Sequence, residues 1–160
     1  MLIVRKVNVT MEHADSEHIK IFFALEQDDD DSSPVSVESI WALRTQDGFY
    51  EIDNIPFYAK GVSYKDIVEA VPDDDGCLCF KCVVRPSQRS TIRVIVADLK
   101  DQDDLLKKLE NFGCSWGGSN QSSLITVDVS PEVDLDSVIR FLQDGFEQDR
   151  WDYEEASIPD

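Results

Sequence analysis

The sequence predicts an α+β protein, with a small β-barrel-like sheet at the N-terminal end followed by a ferredoxin-like βαββαβ sandwich. Two features lead to that class. Up to residue 88 the chain is a series of short apolar-alternating runs divided by Asp-Gly and Pro-containing turns, the pattern of a small barrel or strongly coiled sheet. From residue 89 the rhythm becomes strand, helix, strand, strand, helix, strand, with two helices expected to cover one face of a four-stranded antiparallel sheet. Residues 1–88 and 89–160 are read as two subdomains meeting near Arg85-Pro86-Ser87-Gln88-Arg89-Ser90.

Each element has its own reason. Val4 to Val9 alternates and reads as a first strand, and Ile19 to Leu25 as a stronger second one. Val35 to Arg44 makes a third, with Val37, Ser39 and Trp41 on one face and Glu38, Ile40 and Ala42 on the other. Thr45-Gln46-Asp47-Gly48 supplies a hairpin turn, because Asp-Gly tolerates the positive φ of tight turns. The stretch Phe49 to Val68 is the centre of the reading. It holds a strand from Phe49, a crossing at Pro56, a turn at Gly61 and a new strand from Asp66. A second turn, Asp73-Asp74-Asp75-Gly76, leads into the strand Cys77 to Val84.

In the second half Thr91 to Ala97 is a strand with Ile92, Val94 and Val96 on one face. Asp101 or Asp103 is expected to cap a helix carrying Leu105, Leu106, Leu109 and Phe112, which Gly113 ends. Cys114 to Gly118 and Ser122 to Val129 read as strands, with Gly117-Gly118 as a turn or bulge. Ser130-Pro131 opens a second helix whose apolar stripe is Leu135, Val138, Ile139, Leu142 and Phe146. Trp151 to Ile158 supplies a last strand.

Composition narrows the functions. Thirty-three acidic against 15 basic residues give a formal charge of −18, a surface that repels phosphate backbones and anionic lipid and attracts basic partners. Direct nucleic-acid or membrane binding is not expected. Met1 to Lys6 lacks the apolar region of a signal peptide, and no run is long enough to span a bilayer, so a cytoplasmic location is expected. Cys77, Cys79, Cys82 and Cys114 are expected reduced. They read as small buried hydrophobes, because a closed zinc site needs four convergent ligands and a strand sends Cys82 away from Cys77 and Cys79. Glu12, His13, Asp15, Glu17 and His18 meet no metal spacing rule and read as a polar loop, as does the run Asp28 to Asp31. No metal or cofactor is implied.

Trp41-Ala42, Gly48 to Ala59, Gly61 to Val68 and Ser90-Thr91-Ile92-Arg93-Val94 together resemble the bacterial family called domain of unknown function DUF 4265. That resemblance covers most of the chain. In the family a Ser-Gly-His-Ser-Thr type of segment often precedes the Ile-Arg strand. Here Pro86-Ser87-Gln88-Arg89-Ser90-Thr91 stands there without the Gly or His, which counts against an enzyme. Small acidic proteins of this kind are similar to the immunity proteins encoded beside bacterial toxins.

Charge distribution points the same way. Residues 128–160 hold eleven acidic side chains against Arg140 and Arg150, half of the formal net charge. The expected partner is a basic protein toxin encoded nearby, with a nuclease as the example that such charge would suit. The expected contact residues are Asp136, Asp144 and Glu147 on the second helix, with Asp149, Trp151, Asp152, Tyr153, Glu154 and Glu155 at the last strand. For Trp151 and Tyr153 packing beneath the helices is the simpler explanation. Two alternatives stay open. One is a small-molecule or regulatory domain with a pocket at Tyr58, Tyr64, Asp66 and Arg93. The other is an enzyme using Asp53 or Asp66 as acid and base.

Overall fold

A computed structural model describes residues 3–5, 18–26, 36–118 and 122–160. Five strands close into a barrel in the order β2 (His18–Ala24), β3 (Val37–Arg44), β4 (Tyr50–Ile52), β5 (Ile67–Pro72) and β6 (Leu78–Arg85), with β6 closing in parallel on β2. Alternation fills its interior. Ile21, Phe23, Ile40, Ala42, Tyr50, Ile52 and Val68 point inward and are joined by Ala59 and Val62 from the long β4–β5 connection. Trp41 falls on the outer face, 42% exposed, with the Lys20 ammonium 4.9 Å from its ring centre.

The second sheet runs β1 (Ile3–Arg5), β8 (Ser115–Gly118), β9 (Leu124–Val129), β7 (Ser90–Val96) and β10 (Trp151–Ser157). It has five strands where four were expected. The N-terminal strand was assigned to the barrel, but Ile3 to Arg5 pairs antiparallel with β8. Residues 7–9 of that expected strand lie outside the described residues, as do Glu12, His13, Asp15, Glu17 and Asp28 to Asp31.

Helices α1 (Gln102–Phe112) and α2 (Leu135–Glu147) lie in the β7–β8 and β9–β10 connections. Their apolar side chains share one core with Ile92, Val94, Val96, Ile125, Val127, Trp116 and Trp151. Two helix starts differ from expectation. Asp98, not Asp101, caps the entry to α1, accepting from Lys100 N–H at a 3₁₀ turn, while Asp101 holds Arg150. Ser130-Pro131 forms a turn, and α2 begins four residues later beyond Asp134, because the Ser130 hydroxyl and carbonyl accept from Glu132 and Val133. Among the described residues no helix is long and apolar enough to cross a membrane.

The two halves meet through the opposite sheet face. Alternation that sends Ile92, Val94, Ile125 and Val127 to the helices sends Thr91, Arg93, Thr126 and Asp128 the other way, and all four are buried. What covers them is the crossing between β4 and β5. Thr126 Oγ1 donates to Pro56 O (2.7 Å), Thr91 Oγ1 to Ser63 Oγ (2.9 Å), and an Arg93 Nη2 proton to Ala59 O. Gly117 lies inside β8 rather than in a turn, and a Cβ there would stand 3.4 Å from the Phe57 ring. The missing side chain lets that ring reach the sheet.

Candidate functional site

Two charged regions contain the residues singled out by sequence, and they are built differently. The first is the barrel–sheet junction. Glu38, on the inner-face register of β3, accepts from the N–H groups of Phe57, Tyr58 and Ala59 at 2.6, 2.9 and 2.7 Å, so one carboxylate shapes the crossing that lies on the sheet. Asp66 is 4% exposed and braces two loops, taking Ser63 N–H on one oxygen (2.9 Å) and Ser87 N–H on the other (2.8 Å). Both oxygens are engaged in backbone structure. The loops need this brace, since Lys65 and Gln88 both adopt left-handed backbone at φ 67° and 66°.

Beside them Arg89 grips Asp128 by two nitrogens, Nε at 3.0 Å and Nη2 at 2.7 Å. Burial pushes the Asp128 carboxyl above its usual range, and the Arg89 hydrogen bonds and charge pull it only part of the way back. Tyr64 lies under the Arg89 guanidinium, and its phenol is raised by burial and then by the charges of Asp53 and Asp128. The four residues of the expected pocket do not converge. Tyr64 sits at the Arg89 end of β7 and Arg93 at the Ala59 end, four residues along the strand or roughly 13 Å. Tyr58 is exposed. Arg93 is 6% exposed, bonded through Nη1 to Glu154 (2.9 Å) and through Nη2 to Ala59 O, while its Nε is buried without a partner among the described residues.

Asp53 has a partner that sequence reading assigned to a formless loop. His18 is the first residue of β2, and its Nε2 lies 2.7 Å from Asp53 Oδ2, with the Trp41 ring edge-on at 6.1 Å. The pairing explains it: β2 and β3 send His18 and Trp41 to the outer face of the barrel, and Asp53, just past the end of β4, is held beside them by its N–H to Trp41 O (2.8 Å). Among the described residues no group of three or more His, Cys, Asp or Glu is arranged to hold a metal ion. The cysteine expectation is corrected for three of four. Cys77 and Cys82 are exposed and Cys79 half-exposed, because the Asp73–Gly76 turn and the outer face of β6 lie beyond both cores. Cys114 is buried, which pushes its thiol up to about 12.

The second region is the face formed by α2 and β10. Asp136, Asp144, Glu147, Asp149 and Glu155 are exposed there and Asp152 is exposed on the opposite side of β10, and among the described residues no cation pairs with any of these six. Glu154 differs, being tied to Arg93 and 4.0 Å from Lys60. Trp151 is core rather than contact surface, 3% exposed, donating to Leu142 O (2.9 Å). Gly145 passes directly over its indole, where a Cβ would come within 2.0 Å of ring carbon. That packing displaces the expected end of the apolar stripe. With Gly145 facing the core, Phe146 turns outward, 46% exposed, and stands edge-on to Tyr153 at 6.4 Å. Tyr153 is half-buried and donates to Gln143 Oε1 (2.8 Å). The missed residue is therefore Phe146, and the signal was Gly145: the stripe 135, 138, 142 continues to 145 before it reaches 146.

A five-stranded barrel joined face to face with a helix-covered sheet, carrying an acidic helix–strand face, is thus the class that this geometry defines. Residues 38–153 match the model of the family described as Domain of unknown function (DUF4265), and the chain belongs to that family. Among solved structures it is similar to a hypothetical protein from Neisseria gonorrhoeae, 23% identical, over 90% of this chain and 97% of that one, with a TM-score of 0.77. That likeness is one of fold. No curated protein matches the chain.

Proposed function

We propose that the protein is a non-catalytic binding protein whose α2–β10 face docks on the cationic surface of a basic bacterial toxin, a nuclease in the fullest form of the reading, and neutralises it as an immunity protein does. One observation carries this. The exposed acids of that face have no cation partner among the described residues and lie near exposed Phe146, which stands against half-buried Tyr153. Uncompensated charge of one sign steers an oppositely charged partner, and an aromatic anchor inside a charged rim is the usual make-up of an interface hot spot. In this reading the protein acts in the cytoplasm, uses no cofactor and does not itself touch nucleic acid. The subdomain boundary at 88/89 and the ferredoxin-like description of the second half belong to the same proposal. They are supported by the antiparallel strand order β8-β9-β7-β10, with a helix in each of the β7–β8 and β9–β10 connections.

Co-expression tests it. Each gene flanking this one in its native genome is expressed in a sensitive host, alone and with this protein. Rescue from a toxic neighbour, lost on D144K with E147K, is the expected result. A set of toxic neighbours, none of them rescued, would sink the proposal.

A second reading, a small ligand at the junction, has the unpartnered Arg93 Nε behind it. An acceptor placed there would satisfy a buried donor that otherwise costs about 1–3 kcal/mol. Native mass spectrometry of the intact protein should then show a ligand mass that R93K loses; a bare chain mass in both removes that reading. An acid–base role for Asp66 has less support, because its oxygens already hold Ser63 and Ser87.

A further inference from the structure

We infer that the docking seam is the open edge of β10, and that it takes an extended, lysine- or arginine-bearing segment of the partner as an added antiparallel or parallel strand. This rests on the acidic-face reading above and says how that face would be used. The first support is the sheet order. β10 is terminal, and among the described residues only β7 pairs with it. Antiparallel neighbours alternate between bonded and non-bonded pairs. Arg150 O accepts from Ala97 N–H (2.9 Å), so Asp152 and Glu154 turn their backbone groups towards β7, and Trp151, Tyr153 and Glu155 turn theirs away from the sheet. Tyr153 agrees with this phase. Its N–H is not used by β7 but donates to the side chain of Asp152 at 2.8 Å. The far end is already closed, since Ala156 O accepts from Gly61 N–H of the barrel.

The second support is what flanks the edge. On the helix side Tyr153 and Phe146 form an aromatic shelf at the C-terminal end of α2. Burial raises the Tyr153 phenol, and the charges of Glu155, Asp152 and Glu147 raise it further, so the shelf sits in a negative field. A cation lying over that shelf would gain both the ring faces and the carboxylates. Charge also excludes the other simple occupant. A second copy pairing edge to edge would set Asp152, Glu154 and Glu155 against themselves, and like charges directly opposite in a sheet destabilise it. A basic strand with alternating cations sets them opposite Asp152 and Glu154 in one phase or beside Glu155 and the aromatic shelf in the other, and in either phase repulsion gives way to attraction. The Asp152 bond to Tyr153 N–H guards the edge in the absence of such a strand, as charged residues on sheet edges commonly do.

The test uses the full chain, isotopically labelled, with two short capped peptides carrying the same lysines. One alternates lysine with valine; the other has proline in place of each valine, which keeps the charge, removes every second backbone donor and prevents a regular paired strand. The expected result is amide shifts centred on residues 151–155, slowed exchange of the Tyr153 and Glu155 amides, and binding of the valine peptide about tenfold tighter than the proline peptide. E155P, which removes an outward-facing N–H, should abolish that difference, while E155Q should only lower both affinities. If E155P does not fold, the peptide pair with E155Q still decides. Equal binding of the two peptides, or shifts centred away from β10, overturns the strand seam. That outcome leaves the acidic-face reading standing, which co-expression judges separately.

Discussion

The junction between barrel and sheet and the face formed by α2 and β10 are both rich in charge, yet each charge at the junction has a matching group and the acids of the outer face have no cation among the described residues. Asp128 has Arg89, Asp66 has two backbone N–H groups, and Arg93 has Glu154 and a carbonyl. Asp144, Glu147, Asp149, Asp152 and Glu155 point to solvent in a chain that is already strongly negative. Buried ions survive only when paired, because desolvation costs several kcal/mol per ion. Exposed ones are free to stay unmatched. The junction thus reads as architecture and the outer face as the place where selection for something other than stability can act.

The comparison is broken most directly at Arg89. R89A leaves Asp128, 1% exposed, without its guanidinium, and should cost roughly 3–5 kcal/mol. Its pH dependence carries the sign. The folded-state carboxyl of Asp128 already lies above its ordinary value, so this group favours folding most below the ordinary carboxylate range and loses that contribution as pH rises through its folded value. Removing Arg89 raises that value further. The variant's deficit in urea midpoint should therefore grow over the window that opens as pH rises above the ordinary carboxylate range. A deficit that shrinks over that window would mean that Arg89 acts through packing on Tyr64 and not through charge.

Gly145 tests the boundary between the two regions. A methyl group there would overlap the Trp151 indole, so G145A should destabilise by about 1–3 kcal/mol, or more if the helix cannot shift. Because the indole N–H is bound to Leu142 O, Trp151 fluorescence should change with it. An unperturbed melting temperature and spectrum would show that Trp151 is not core and would return it to the contact surface.

Much of the fold was legible, and the reasons for the exceptions are local. Period-2 alternation located β2 and separated the two faces of β3 and β7 as the structure has them, since a strand has only two sides. It could not say that β1 would cross to the second sheet, because pairing partners are set by tertiary contacts that a three-residue strand does not encode. The α2 stripe was legible up to Leu142. Beyond it Gly145 outranked Phe146 for the core, a choice dictated by the volume of Trp151 six residues further on. The His18–Asp53 pair was invisible for a related reason: 35 residues separate the two, and only the barrel register brings them to 2.7 Å. Among the acids, composition counted them but gave no sign of which would find an arginine.

That last point yields the smallest effect and the sharpest contrast. Neutralising Glu147 and Glu155 together, E147Q with E155Q, should change stability by no more than about 0.5 kcal/mol, since neither holds a cation or a buried donor. The direction should be slightly favourable, because removing like charges relieves self-repulsion in a chain of net −18. Salt makes the argument separable. Added salt screens exposed charges beyond a Debye length of about 8–10 Å near physiological strength, so the parent should gain melting temperature as salt is raised and the double variant should gain less. Calorimetry at low and high salt reads both numbers. A loss of about 1 kcal/mol or more in the variant would show these carboxylates to be structural, as Asp66 and Asp128 are, and the distinction between the two regions would then fail at the residues on which partner docking depends.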